Sequence, residues 1–220
     1  MPALAHAAAC LDAGAALGRD HSGPVRAIIG PHAGYSYCGN VLGSAYRHLP
    51  AGCKTVVIAG PSHHVYFRSG ALSRATELET PLGRLRVDTD AVSRLHATGL
   101  FQWFASDDDE AEHCVEMHLP FLQRAAERAG VDAAALRVVP VVLGDLGSDG
   151  CARVADALAP LLRDEATVLA VSTDFCHWGR RFRYTRRSEA KGGSISGGIE
   201  ALDREGMAVR PRRWAGGGGS

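Results

Sequence analysis

The stretch RVVPVVL at residues 137–143 decides the fold class, because its apolar residues run almost without a break instead of alternating with polar ones. A strand that is covered on both faces has this pattern, whereas a strand with one solvent-facing side alternates. Similar runs rich in Val and Ile occur at 25–29, 55–59 and 167–172. We therefore predict four buried strands in a sheet that lies between two layers of helices.

The segments between these strands predict helices and one turn. Apolar residues recur at helical spacing in four segments, 40–48, 89–98, 118–129 and 148–162. Residues 80–87 contain Pro81 and Gly83 and predict a turn that feeds a short edge strand. The predicted fold class is thus α/β, a three-layer α/β/α sandwich around a mixed, largely parallel sheet.

The overall composition excludes several classes of function. The 220 residues carry 24 basic and 24 acidic side chains, so no positive field favours nucleic acid or an anionic membrane surface. Residues 1–20 lack the basic start and unbroken apolar run of a signal peptide. Six cysteines are scattered singly, as in reduced intracellular proteins. We expect a cytoplasmic or nuclear protein that binds neither nucleic acid nor membranes.

Loops that contain histidine follow two of the predicted strands. GPHAGY at 30–35 places His32 after the first strand, and GPSHH at 60–64 places His63 after the second. The carboxyl ends of parallel strands lie at one edge of a sheet, so these imidazoles are expected to meet there. Neutral imidazoles are good ligands for Fe, Cu or Zn. Because neighbouring residues of an extended chain face opposite ways, only one of His63 and His64 should coordinate. Histidines that merely hydrogen-bond in a polar crevice are the alternative.

The last strand leads into a third polar loop, STDFCHWG at 172–179. Asp174 and His177 are candidates for an acid and base pair, or for residues that orient a ligand. Phe175 and Trp178 offer apolar walls. The alternative is that both aromatic residues belong to the core and that Asp174 caps the next helix.

A fourth cluster, EHCVEMHLPF at 112–121, places Glu112 and Glu116 on one face of a predicted helix. His113 and Cys114 are close enough in sequence to reach a pocket, and we interpret the cluster as pocket lining. Cys114 and Cys176 are conceivable thiolate ligands, but single small thiols usually belong to the core.

Together these motifs resemble the Memo family. The matching strings are RAIIGPHAGYSYCG at 26–39, GPSHHV at 60–65, EHCVEMHLPF at 112–121 and STDFCHWGRRFRY at 172–184. The family is similar in fold to class III extradiol dioxygenases, which open catechol rings with non-haem iron. The resemblance implies that His32 and His63 are ligands for copper or iron. It also implies that His177 has the position of an acid/base histidine, with Asp174 beside it.

The same resemblance implies a pocket lined by Tyr37 and Phe175, to which the fourth cluster adds His113. It also defines the expected domains, namely a poorly defined segment at 1–24, one Memo-like domain at 25–207 that is incomplete at its C-terminus, and a divergent tail rich in Arg, Pro and Gly at 208–220. Family members take their third metal ligand, a cysteine, from the C-terminal part of the domain. We therefore expect weak metal binding in this chain.

Three hypotheses for function follow from these observations. The first is a metal-binding protein, non-enzymatic or weakly redox-active, that acts in signalling linked to cell motility. Its pocket would recognise a peptide or a small aromatic group, with signalling proteins as partners by family analogy. The second is an iron-dependent dioxygenase, for which the missing carboxylate ligand is unfavourable. The third is an inactive, truncated fragment.

Overall fold

The structure of the protein is a computed structural model that describes residues 9–10, 13, 23–132, 134–187 and 193–208. The chain divides into two compact units, residues 1–173 and 174–220. The predicted N-terminal segment and the predicted tail lie almost entirely outside the described residues.

The first unit is built on one eight-stranded sheet. Its strands are β1 (Ala27–Gly30), β2 (Thr55–Pro61), β3 (Gly70–Leu72), β4 (Glu77–Thr80), β5 (Gly83–Val87), β6 (Phe101–Trp103), β7 (Arg137–Leu143) and β8 (Thr167–Ser172). The four predicted strands correspond to β1, β2, β7 and β8 and are confirmed. β3 and β6 were not predicted, because three residues are too few to show a pattern.

Among the described residues of the first unit, five helices with defined bounds connect or follow these strands. They are α1 (Tyr35–Tyr46), α2 (Thr89–Ala97), α3 (Ser106–Ala111), α4 (Leu119–Arg128) and α5 (Gly147–Leu162), with a 3-10 turn at Glu116–His118. The four predicted helices are confirmed as α1, α2, α4 and α5. The first of them begins at Tyr35, earlier than predicted, immediately after the loop that contains His32.

The strand order β1-β8-β2-β7-β3-β6 makes the sheet mixed and mostly parallel, as predicted. β1, β8, β2 and β7 run parallel to one another, and β3 pairs antiparallel with β7. β5 pairs antiparallel with β4 and parallel with β7. The prediction of an edge strand at 80–87 is therefore wrong, because β5 has a partner on each side.

Pro140 lies inside β7 although proline cannot donate to a ladder. Val138 O accepts a hydrogen bond from Asp88 N on the side of β5. Alternate residues point to the same neighbour, so the nitrogen of Pro140 faces that side as well. There β7 pairs with β5 only at 137–138 and with β3 only at 141–143, which leaves Pro140 in the gap between the two.

Two apolar clusters cover the two faces of the sheet and form the core. One cluster joins α1 and α4 to the sheet through residues such as Leu42, Tyr46 and Phe121, all fully buried. The other joins α2 and α5 to the opposite face through residues such as Leu95 and Leu158. The predicted three-layer arrangement is confirmed, and it leaves the ends of the strands free to carry polar loops.

The second unit contains a 3-10 turn at Arg180–Phe182 and the helix α6 (Ile195–Met207). The side chain of Ser194 caps α6 by accepting a hydrogen bond from Gly197 N. No helix within the described ranges combines the length and the apolar composition that a bilayer-spanning segment needs.

Candidate metal centre

The histidine loops meet at one edge of the sheet. β1, β8 and β2 are adjacent and parallel, so the loops that follow them leave the sheet side by side. The ring centroids of His32 and His63 are 5.0 Å apart, with the rings nearly perpendicular. The prediction that two strand-end imidazoles meet is confirmed.

A third imidazole completes this group. The ring of His113 lies 4.3 Å from that of His63 and 5.6 Å from that of His32. One nitrogen from each of the three residues falls within 4.8 Å of the other two. Ligand nitrogens around a transition metal stand about 3.0 to 3.5 Å apart, because metal–nitrogen bonds are about 2.1 Å long. Small side-chain movements would therefore allow the three imidazoles to hold one ion, and the donor set fits a metal.

Glu112 hydrogen-bonds to two of the three histidines. Its carboxylate is 5% exposed and accepts hydrogen bonds from the backbone N–H of His63 at 2.7 Å and from Nδ1 of His63 at 2.8 Å. It also accepts from the backbone N–H groups of His113 and Cys114, at 2.9 and 3.1 Å. One buried carboxylate thus ties the loop after β2 to the loop after α3.

The same contacts set the charge of Glu112. Burial by itself would raise the pKa of this carboxyl, but the hydrogen bonds from His63 and Cys114 outweigh burial and lower the pKa to about 2. Burial and the neighbouring charge of Glu112 raise the pKa of the Cys114 thiol. Cys114 is fully buried in the core and is not in the group of three histidines.

Ser172, at the end of β8, anchors the remaining imidazole. Its hydroxyl lies 2.7 Å from Nδ1 of His32 and donates a hydrogen bond of 2.7 Å to Cys114 O. His32 is 4% exposed and Ser172 is 2% exposed, so both groups are shielded from water. The segment 112–114 therefore contacts His63 directly and is linked to His32 through the hydroxyl of Ser172.

Glycines at the ends of β1 and β2 allow this close approach. A Cβ on Gly60 would lie 2.8 Å from Cβ and Sγ of Cys114 and 3.0 Å from Cβ of Ser172. A Cβ on Gly30 would lie 2.6 Å from Cδ1 of Leu42. Gly34, at the end of the loop that contains His32, has an ordinary φ of −54°. The site thus requires glycine for space and not for backbone conformation.

The segment around Glu112 differs from its prediction. Glu112 and Glu116 were expected on one helical face, but α3 ends at Ala111 and Glu112 is extended. Glu116 belongs to the following 3-10 turn and is exposed. Sequence reasoning placed His113 in the pocket lining, whereas the structure brings it to the ligand group. The one available signal was its position inside a string that matches the Memo family.

The remaining predicted site residues are described by their own surroundings. Tyr37 is 88% exposed in the first turns of α1. In the second unit, Nε2 of His177 is 3.6 Å from Oδ2 of Asp174, and Nδ1 of His177 is 3.0 Å from Phe175 O. Phe175 is 54% exposed. Asp174 caps neither described helix of its unit, because Gly179 precedes the 3-10 turn and Ser194 caps α6.

Comparison with known proteins places this arrangement in a family. A sequence model described as Memo-like protein matches residues 8–209. The chain belongs to the Memo family. It is 42% identical over 189 residues to Protein MEMO1 of Danio rerio and 40% identical over 187 residues to Protein MEMO1 of Homo sapiens. The predicted family membership is confirmed.

The matches to Memo proteins cover most of this chain but only part of each relative. The aligned regions amount to 86% of this chain and 62% of the fish protein, and to 84% and 62% for the human protein. The MEMO1 family protein MHO1 of Saccharomyces cerevisiae is 39% identical over 176 residues, which are 74% of this chain and 52% of the yeast protein. The chain therefore spans about three-fifths of the length of the animal relatives.

Proposed function

We propose that the chain binds one iron or copper ion through His32, His63 and His113. We further propose that it works as a redox-active metal-binding protein in cytoplasmic or nuclear signalling linked to cell motility. The observation that carries the proposal is that one nitrogen of each imidazole lies within 4.8 Å of the other two. Imidazole donors suit iron and copper, and a bound ion of either metal would supply one-electron chemistry.

The arrangement supports metal binding over ring cleavage. Iron enzymes of the dioxygenase type use two histidines and one carboxylate as ligands. Glu112 is the carboxylate beside these imidazoles, and both of its oxygens already accept hydrogen bonds from N–H groups. The chain's own residues therefore present three imidazole donors. Three protein ligands leave coordination positions free for a peptide or a small aromatic ligand, as the family resemblance suggests.

The test is the metal content and affinity of the purified chain under reducing conditions for Fe(II) and Cu(I). We expect close to one ion per chain, and we expect His32→Ala and His63→Ala each to abolish stoichiometric binding. His64→Ala is the matched control, because His64 is adjacent and exposed and is absent from the group. Binding that survives in both of the first two variants would overturn the proposal. Oxygen uptake with catechols above the Fe(II) blank would instead favour the dioxygenase.

A further inference from the structure

We propose that Glu112 and Ser172 are positioning residues that fix the Nδ1–H tautomers of His63 and His32, so that each ring presents the lone pair of Nε2 to the metal. This inference rests on the proposed function for its purpose. Its structural part concerns the protein without metal and can be tested separately.

The tautomer of His63 follows from the protonation of its partner, the Glu112 carboxylate. An ionised carboxylate has no proton and can only accept hydrogen bonds. Oε1 of Glu112 lies 2.8 Å from Nδ1 of His63, so that nitrogen must be the donor. A neutral imidazole carries one proton on its two nitrogens. With Nδ1 protonated, Nε2 of His63 keeps its lone pair.

The tautomer of His32 follows from the single proton of the Ser172 hydroxyl. The carbonyl of Cys114 can only accept, and Ser172 Oγ lies 2.7 Å from it, so the hydroxyl proton of Ser172 points to that carbonyl. Towards His32, Oγ can then only accept, and Nδ1 of His32 at 2.7 Å must be the donor. In a neutral ring of His32, Nε2 therefore carries the lone pair.

His113 is held in a different way. Its backbone N–H donates to Oε1 of Glu112, but its Nδ1 is 3.5 Å from that oxygen, beyond a good hydrogen bond. Glu112 therefore places the backbone of His113 without selecting a tautomer. The two tautomers that the hydrogen bonds select are therefore those of His63 and His32.

Replacement of Glu112 by Ala should release the tautomer of His63. Oε1 of Glu112 also accepts from the backbone N–H groups of His113 and Cys114, so a Gln would keep its amide oxygen there and would still accept from Nδ1 of His63. Alanine has no acceptor, so Nδ1 of His63 loses the partner that holds its proton, and the ring is expected to populate the Nε2–H tautomer as well. Glu116→Ala is the matched control, because Glu116 is an exposed carboxylate four residues away.

The experiment is a long-range proton–nitrogen correlation spectrum of the metal-free full chain with labelled histidine, recorded at about pH 8, above the ordinary pKa of an imidazole. We expect protonated Nδ1 in His63 and His32 of the unmodified chain and in Glu116→Ala. We expect a larger share of protonated Nε2 at His63 in Glu112→Ala. A ring of His63 with its proton on Nε2 and none on Nδ1 in the unmodified chain overturns the inference by itself, so the test stands even if Glu112→Ala fails to fold.

Metal affinity supplies the second readout. Loss of such an outer partner lowers metal affinity by about 10- to 100-fold, and we expect this for Fe(II) with Glu112→Ala but less than a twofold change with Glu116→Ala. Ser172→Ala should lower affinity by about threefold to tenfold, since its hydrogen bond is between neutral groups. Equal affinities in Glu112→Ala and the control would overturn the inference. If no chain binds metal while the tautomers are as expected, the proposed function fails and the tautomer assignment stands.

Discussion

Two regions of the molecule place a histidine beside a carboxylate, and they do so differently. Nδ1 of His63 donates a hydrogen bond of 2.8 Å to Glu112, which is 5% exposed. Nδ1 of His177 donates a hydrogen bond to a backbone carbonyl. The side chain of His177 is 51% exposed, and its Nε2 lies 3.6 Å from Asp174. A shielded carboxylate with several donors fixes a ring, whereas a half-exposed imidazole 3.6 Å from its carboxylate gains little in water. Only the first pair therefore holds its imidazole in a set position.

The largest expected effect separates the group of three histidines from His177. Loss of an outer partner costs about 10- to 100-fold in metal affinity, so His113→Ala, which removes a ligand, should cost at least about 100-fold. His177→Ala should change affinity by less than twofold, because the metal-type group among the described residues does not include it. Competition with a chromophoric chelator measures both. A larger loss in His177→Ala than in His113→Ala would reverse the comparison.

The next prediction concerns the stability of the protein in acid, which depends on the charge of Glu112. The pKa of Glu112 falls from 4.5 to about 2 on folding, so its contribution to stability is full above pH 4.5 and is lost as the pH falls towards 2. The contribution is on the order of 3 kcal/mol at neutral pH. Urea unfolding of the metal-free chain at several pH values should show a shallower loss in Glu112→Gln than in Glu116→Gln. Equal slopes in the two variants would contradict the role of Glu112.

The smallest expected effect concerns the packing that brings Glu112 to the histidines. Gly60→Ala places a Cβ 2.8 Å from Cys114 and should destabilise the protein by about 1 to 3 kcal/mol, as overpacking in a core does. Gly52→Ala is the control, because a Cβ there meets nothing within 4 Å. Thermal melts followed by circular dichroism compare the two. Equal melting temperatures would mean that the strand end yields without cost.

The sequence predicted the long strands well because burial on both faces leaves an unmistakable apolar run, as in 137–143. It also predicted that His32 and His63 meet, because parallel strands carry their following loops to one edge. It did not predict β3 and β6, whose three residues form strands only because neighbouring strands offer backbone partners. Nor did it predict that β5 pairs on both sides.

The role of His113 was beyond sequence reasoning for a related reason. His113 follows a short helix of acidic residues and precedes a 3-10 turn, so no strand end indicates where its ring points. Its position depends on Glu112, and the burial of Glu112 depends on contact with the loop after β2. Contacts between segments 49 residues apart leave no local pattern.

By itself, the sequence determined the α/β class, the family and the edge of the sheet at which the histidines gather, because apolar runs and strand ends are local features of the chain. Only the tertiary structure decided which residues form the ligand group and which oxygen atoms hold them. Hydrogen bonds of 2.7 to 2.9 Å from His63 and His113 to one buried carboxylate require two loops to be packed together, and that packing exists only in the folded chain.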